Sequence, residues 1–203
     1  MITANEYLNQ VQDTIEHIFS AIDIEEDRIS EASKKLPVGM DDVDLRTARD
    51  SFYKNFASME LHEDFDDRQV MHAFHQYTVP AQLIILHEIT SSILYGTLLQ
   101  IAKQAISLAH GKGGRGCGLG KEISGMSLAQ IIWDSRNQSL HFEEEAHKNT
   151  RETFDKLSCA YGKGFSLDDN LGKNMARGIV REILRWRNRA DFENDMRIIS
   201  GAA

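Results

Sequence analysis

Apolar residues return every three or four positions through most of this chain, the spacing of an amphipathic helix. Leu8, Val11, Ile15, Ile18, Phe19 and Ile22 form one such stripe, which predicts a helix running towards Lys35. Thr3 and Glu6 have capping-box spacing at its start. Leu36-Pro37-Val38-Gly39 breaks the pattern. Asp41, Asp42 and Asp44 then suit the positive end of a second helix, whose apolar face carries Leu45, Ala48, Phe52, Phe56 and Met59. A third segment is expected from about Asp67 to Tyr77. Pro80 fits the first turn of a long helix that ends near His110.

Six glycines in the ten positions from Gly111 to Gly120 exclude a regular helix and predict a flexible connector. Ser127 and Gln130 form another capping box, opening a helix through Leu128, Ile131, Ile132 and Trp133. A shorter helix is expected over Thr150 to Cys159, then a loop at Tyr161-Gly-Lys-Gly-Phe165. Asp168 or Asp169 is expected to cap a last helix reaching about Ile199, with Ile183 and Trp186 in the core. No alternation persists long enough for a sheet, and no repeat is evident. The expectation is one all-α domain over residues 1–203, a bundle of about five to seven helices.

Composition narrows the function. A net charge of −8 excludes a general nucleic-acid coat but leaves room for a local basic cleft. Two cysteines, Cys117 and Cys159, cannot make a disulfide framework and show no zinc spacing. Met1 to Glu6 lacks a basic segment followed by an apolar one, so no leader is read there. The apolar run Ala81 to Ala109 is interrupted by His87, Glu88 and Lys103 and reads as a core helix, not a membrane span. A cytoplasmic protein without membrane partners is expected.

The chemistry-bearing segment is Arg136-Asn137-Gln138-Ser139-Leu140-His141. Arg holds a permanent charge and grips phosphate oxygens in pairs, while His moves protons near neutral pH. With 13 arginines and 8 histidines in the chain, the bare Arg-x4-His spacing is expected about 0.5 times by chance. Requiring Asn, Asp or His directly after the Arg lowers that to about 0.08. On an ideal helix Arg136 and His141 point about 140° apart, whereas Asn137 and His141 share a face. The three residues therefore need a helix that bends or ends near Leu140, or a second subunit.

An apolar-aromatic helical run followed by Arg-Asn-x-x-x-His, in a small helical protein, resembles the HEPN superfamily (higher eukaryotes and prokaryotes nucleotide-binding). Its ribonuclease signature matches Arg136, Asn137 and His141. The resemblance implies a helical bundle, a homodimer with a composite site, and RNA cleavage without a metal or other cofactor. It also implies a toxin or phage-defence role, with an antitoxin or other regulatory protein as partner. His141 would serve as general base or acid, Arg136 would orient the phosphate, and Asn137 would bind the phosphate or hold His141 in its tautomer. The expected products end in a 2′,3′-cyclic phosphate and a 5′-hydroxyl. Other members have lost catalysis and act as nucleotide-, RNA- or protein-binding modules, which is the alternative here. A helical bundle unrelated to the family is the third reading.

Basic residues elsewhere extend the picture. Arg177, Arg181, Arg185 and Arg189 recur at four-residue spacing near Arg187. As function this ridge guides RNA; as structure it pairs with Glu182 or with the acidic first half. Lys112 and Arg115 in the glycine stretch are further RNA-contact candidates, set against a plain linker. Gly111-x-Gly113-x-x-Gly116 comes after a helix, not a strand, and so fails as a dinucleotide fingerprint. Glu144-x-x-His147, with His72 and His75, falls short of the two such motifs and extra glutamates of a di-iron site. The Glu143–Glu145 run reads as a solvated face. No metal site is expected.

Overall fold

Thr3 caps the first helix reciprocally. Its Oγ1 accepts from the Glu6 backbone N–H at 3.2 Å, and Glu6 Oε2 accepts from the Thr3 N–H at 2.8 Å. The computed structural model describes residues 2–36, 47, 79–118 and 120–201. The helices expected near Asp41 and Asp67, with Phe52, His72 and His75, lie outside the described residues. The protein is an all-α bundle. Helix α1 covers Ala4–Gln10, and after a turn at Val11 helix α2 covers Gln12–Ser33. Ile15, Ile18, Phe19 and Ile22 of the expected stripe are buried on α2.

Helix α3, Val79–His110, carries Pro80 in its first turn and is the spine of the fold. Its 32 residues extend about 48 Å. It touches α1, α2 and several elements nearer the C-terminus. By length and composition alone it is apolar enough to cross a membrane, but half of that stretch is buried inside the fold. Leu98, Leu99, Ala102, Ala105 and Ile106 pack into the main core.

A two-stranded hairpin precedes the motif helix. Strand β1 (Glu122–Ile123) pairs antiparallel with β2 (Met126–Ser127) across Ser124 and Gly125. Both turn residues have positive φ, as a tight two-residue hairpin turn requires. The sequence pattern has room for no sheet, and two-residue strands are too short to leave an alternation. Helix α4, Leu128–Leu140, then starts at Ser127, whose side chain accepts from the Gln130 N–H at 3.2 Å. Of that capping box only the Ser127 half is present; the Gln130 side chain reaches across instead, and its Nε2 donates to Thr153 Oγ1 at 3.1 Å. Thr153 belongs to α5, Lys148–Tyr161.

α4 runs antiparallel along α3. Gly96 meets Ser139, Gln100 meets Arg136 and Lys103 meets Trp133, so numbers rise on one helix as they fall on the other. At Gly96 an added Cβ would sit 3.4 Å from Ser139 Oγ, an ordinary contact distance, so the two helices pack side by side there without needing the glycine.

The last third departs from the single helix expected after Asp168 or Asp169. Asp168–Asn170 is a short 3-10 turn. Helix α6, Ala176–Gly178, continues as a π-helix over Ile179–Leu184 and stops at Arg185, whose φ of 62° is left-handed. Asn188 then accepts from the Asp191 N–H at 3.1 Å and starts α7, Arg189–Ser200. Trp186 is buried and meets Phe192 edge-to-face at 4.9 Å; it also donates from Nε1 to Asp195 at 2.7 Å. Breaking the helix swings the chain so that both Trp186 and α7 reach the core.

This break also ends the continuous arginine ridge. Arg177 grips Glu26 of α2 with two bonds, at 2.8 and 2.7 Å, and Arg181 joins the same carboxylate. Ser91 Oγ of α3 donates to Glu26 as well, at 2.8 Å. Burial alone pushes the Glu26 carboxyl up, but the Arg177, Ser91 and Arg181 contacts outweigh it and hold it below 4.5. A depressed carboxylate contributes stability above its unfolded value and loses it as pH falls through the folded one. Wild-type protein should therefore exceed Glu26→Gln in urea midpoint at pH 7, and the gap should close progressively below about pH 4.5. A constant gap down to pH 3 would contradict this linkage.

Candidate functional site at the end of helix α4

The motif falls where α4 ends. Leu140 is its last residue and His141 its C-cap, with φ −126° and ψ 33°, outside helical values. The His141 N–H still donates to the Asn137 carbonyl at 3.1 Å, so the ring leaves the helix at a fixed point. Two further ties hold that end. Gln138 is buried and bridges two backbone groups, donating to the Lys173 carbonyl at 2.7 Å and accepting from the Met175 N–H at 3.0 Å. Asn174 donates to the Ser139 carbonyl at 3.2 Å, one of the last carbonyls a helix leaves unpaired.

His141 and Asn137 line one cavity of about 420 Å³, between the end of α4, the start of α5 and residues 167–172. Phe142, Leu167 and Leu171 give it apolar walls, while Gln138, Asn170 and Arg151 supply polar groups. The His141 side chain is half exposed, and its Nδ1 lies 3.1 Å from Glu144 Oε1. A hydrogen on Nδ1 donated to Glu144 leaves the lone pair on Nε2. The sequence pattern puts Glu144 on a solvated face. It is exposed, and it also orients the imidazole, a contact that the i,i+3 spacing across a helix end permits.

Arg136 lies outside that cavity lining. It points at α3, where Nε donates to Gln100 Oε1 at 2.5 Å and Nη1 donates to Asn137 Oδ1 at 3.2 Å. Burial lowers the guanidinium from its usual value without removing its charge. Asn137 is therefore the hinge of the motif: it touches Arg136 and also lines the cavity that holds His141. Within one chain the structure brings Asn137 together with each partner, but does not put Arg136 and His141 in one cavity.

The other basic candidates divide. Arg115 is tied to the buried Asp134, two residues before Arg136, by three bonds of 2.7 to 3.1 Å. That ion pair raises the Arg115 value through the Asp134 hydrogen bonds. The stretch expected as a flexible connector is accordingly a 3-10 helix, Gly111–Gly116, anchored by Arg115. Gly114 is buried there; an added Cβ would lie 2.7 Å from Ile106 Cγ2. Lys112 and Arg185 are exposed, and Arg177 and Arg181 are committed to Glu26. Arg177 and Arg181 line a separate cleft with Tyr95, where burial and the Glu26 charge push the phenol up to about 12. Among the described residues no group of three or more His, Cys, Asp or Glu is arranged to hold a metal, although Glu144 and His147 both border the His141 cavity.

The fold and site together define a helical bundle with an Arg-Asn-His segment at a helix end. No family model, no curated protein and no solved structure matches this chain.

Asp134 controls how the site helix is seated. It is 1% exposed, and Thr153 donates to it at 2.6 Å from α5. Removing one partner of a buried pair strands the other, so Asp134→Ala should lose about 3 kcal/mol in denaturant unfolding. A loss below about 1 kcal/mol would mean that the node does not hold α4 in place.

Proposed function

We propose that this chain is a metal-independent endoribonuclease of HEPN type, acting as a homodimer. The observation that carries the reading is the placement of His141 at a helix end, ring oriented by Glu144, in a cavity shared with Asn137. RNA supplies its own nucleophile, the 2′-hydroxyl. The 2′-oxygen loses a proton and bonds to phosphorus, the bond from phosphorus to O5′ breaks, and O5′ gains a proton. His141 carries one of these transfers, and Arg136 stabilises the added charge on the phosphoryl oxygens. The products end in a 2′,3′-cyclic phosphate and a 5′-hydroxyl. A cytoplasmic setting and a restraining partner protein go with this reading.

The division of Arg136 from His141 favours a site completed by a second copy, with the arginine of one chain serving the histidine of the other. It is also what a catalytically silent binding module would tolerate, so the assay must separate the two. Purified protein with structured RNA in EDTA should yield cyclic-phosphate ends. His141→Ala should lower the rate by about 10² to 10⁴ and Arg136→Ala by about 10² to 10³. Wild-type rates in both variants would remove the mechanism. RNA binding without cleavage by the wild type would establish the binding module instead.

Mixing the two inactive variants tests the composite arrangement. After subunit exchange half the dimers are mixed, and each has one intact site of two. About a quarter of wild-type activity should return if the site spans two chains. No recovery, with exchange verified by mass, would assign the site to a single chain.

A further inference from the structure

In the sequence Lys103 is no more than an interruption in an apolar run. In the fold it stands one turn beyond Gln100 on α3, on the rung next to Arg136. Its Nζ lies 4.5 Å from the centre of the Trp133 ring, and Trp133 precedes Arg136 by three residues on α4. The two cross-helix contacts, Gln100 with Arg136 and Lys103 with Trp133, therefore put both cationic side chains along one strip of the α3–α4 seam.

Neither cation meets a carboxylate among the described residues. Arg136 donates to two neutral amides, and Lys103 rests on an aromatic face. The other half-buried arginines described, Arg115, Arg151, Arg177 and Arg189, each pair with Asp or Glu. In a chain of net charge −8, two adjacent half-buried cations left on neutral partners run against the rest of the structure. Burial lowers the Lys103 ammonium, and the Arg136 charge lowers it further, so the two repel. An anion between them would relieve that repulsion and take up the free donors of both.

We propose that Lys103 and Arg136 form a phosphate-binding site on the α3–α4 seam, outside the His141 cavity, which seats a backbone phosphodiester of single-stranded nucleic acid. Gln100 holds the guanidinium in place, and Trp133 holds the ammonium. The site rests on the ribonuclease reading for its link to cleavage, but its binding chemistry stands apart from it. In a two-chain site this seam would present the phosphate while the partner copy presents His141. Lys103 is then a binding residue, one that the Arg-Asn-His segment does not contain.

The test uses the full chain and a fluorescein-labelled, all-deoxy oligonucleotide, which carries the phosphodiester but lacks the nucleophile. Affinity is read by anisotropy over a range of salt. Lys103→Gln keeps most of the stem on Trp133 and removes the charge, with melting temperature as the check on folding. Lys103→Gln and Arg136→Gln should each weaken binding about fivefold to tenfold at low salt and each reduce the salt slope by about one. Lys148→Gln, an exposed lysine on α5 with 88% of its side chain accessible, is the control and should leave both unchanged.

Equal affinity of wild type and folded Lys103→Gln, an equal loss in the Lys148 control, or no oligonucleotide binding by wild type overturns the site. Inorganic phosphate that quenches Trp133 fluorescence without competing with the oligonucleotide overturns the nucleic-acid assignment. Weaker binding by Lys103→Gln, with no RNA cleaved by wild type, supports the site and removes the ribonuclease reading. RNA cleavage at the wild-type rate by Lys103→Gln, with binding unchanged, does the reverse.

Discussion

Asp134 is a carboxylate placed where solvent cannot reach it, and the rest of the site is arranged around satisfying it. An isolated buried charge would cost several kcal/mol, so the fold supplies partners from two directions. Arg115 arrives from the glycine-rich stretch and Thr153 from α5, while Gln130 of α4 in turn donates to Thr153. One charge thereby fixes three segments. It converts a stretch too rich in glycine for helix into an ordered 3-10 turn, and it sets how α4 sits against α5. The cavity holding His141 lies between those two helices, so its walls inherit their positions from that node.

The far end of α4 is fixed differently, by neutral groups. Gln138 and Asn174 exchange hydrogen bonds with backbone on the opposite segment, and Ser139 rests against α3 beside Gly96. Side-chain amides suit this task because each offers a donor and an acceptor. The residues flanking Arg136 and His141 are therefore spent on position. Arg136 and Asn137 are half-buried and His141 is exposed, while Gln138 and Ser139 are buried. That alternation along six residues is what a helix end produces when one face is clamped and the neighbouring face is left open.

Local signals were legible wherever local chemistry decides. Thr3, Pro80 and Ser127 each mark a helix start within the residue or two that capping can specify, and the burial of Ile183 and Trp186 reflects their bulk. The departures share one cause, a tertiary partner distant in sequence. Arg115 orders glycines because Asp134 is nearby in space. Arg177 and Arg181 do pair with the acidic first half, as the structural reading of the ridge expects, but that the partner is Glu26, about 150 residues away, depends on how the segments meet. The expected last helix fails at Arg185, where no glycine or proline announces a break, because Trp186 and α7 both need to face the core. Of the site, a bend or end of α4 near Leu140 was readable as one of two ways to meet the motif's helical geometry, and the helix does end there. The Glu144 contact, the cavity wall from residues 167–172 and the Gln100 and Lys103 rungs were not, since each depends on how separate segments meet.

The geometry of the motif limits the ways it can work. Arg136 and His141 leave α4 in different directions: one towards the α3 seam, the other into the α5 side cavity. Their separation is enforced at both ends, by the Gln100 bond on one side and the helix-end geometry on the other. The proposed two-chain site takes the seam from one copy and the cavity from the other, and so asks for no change in either contact. Asn137 then has a role that neither extreme of the motif can fill. It is bonded to the guanidinium on its own chain and lines the cavity beside it, so under the proposed mechanism a shift of Arg136 on phosphate binding would reach the cavity that His141 lines.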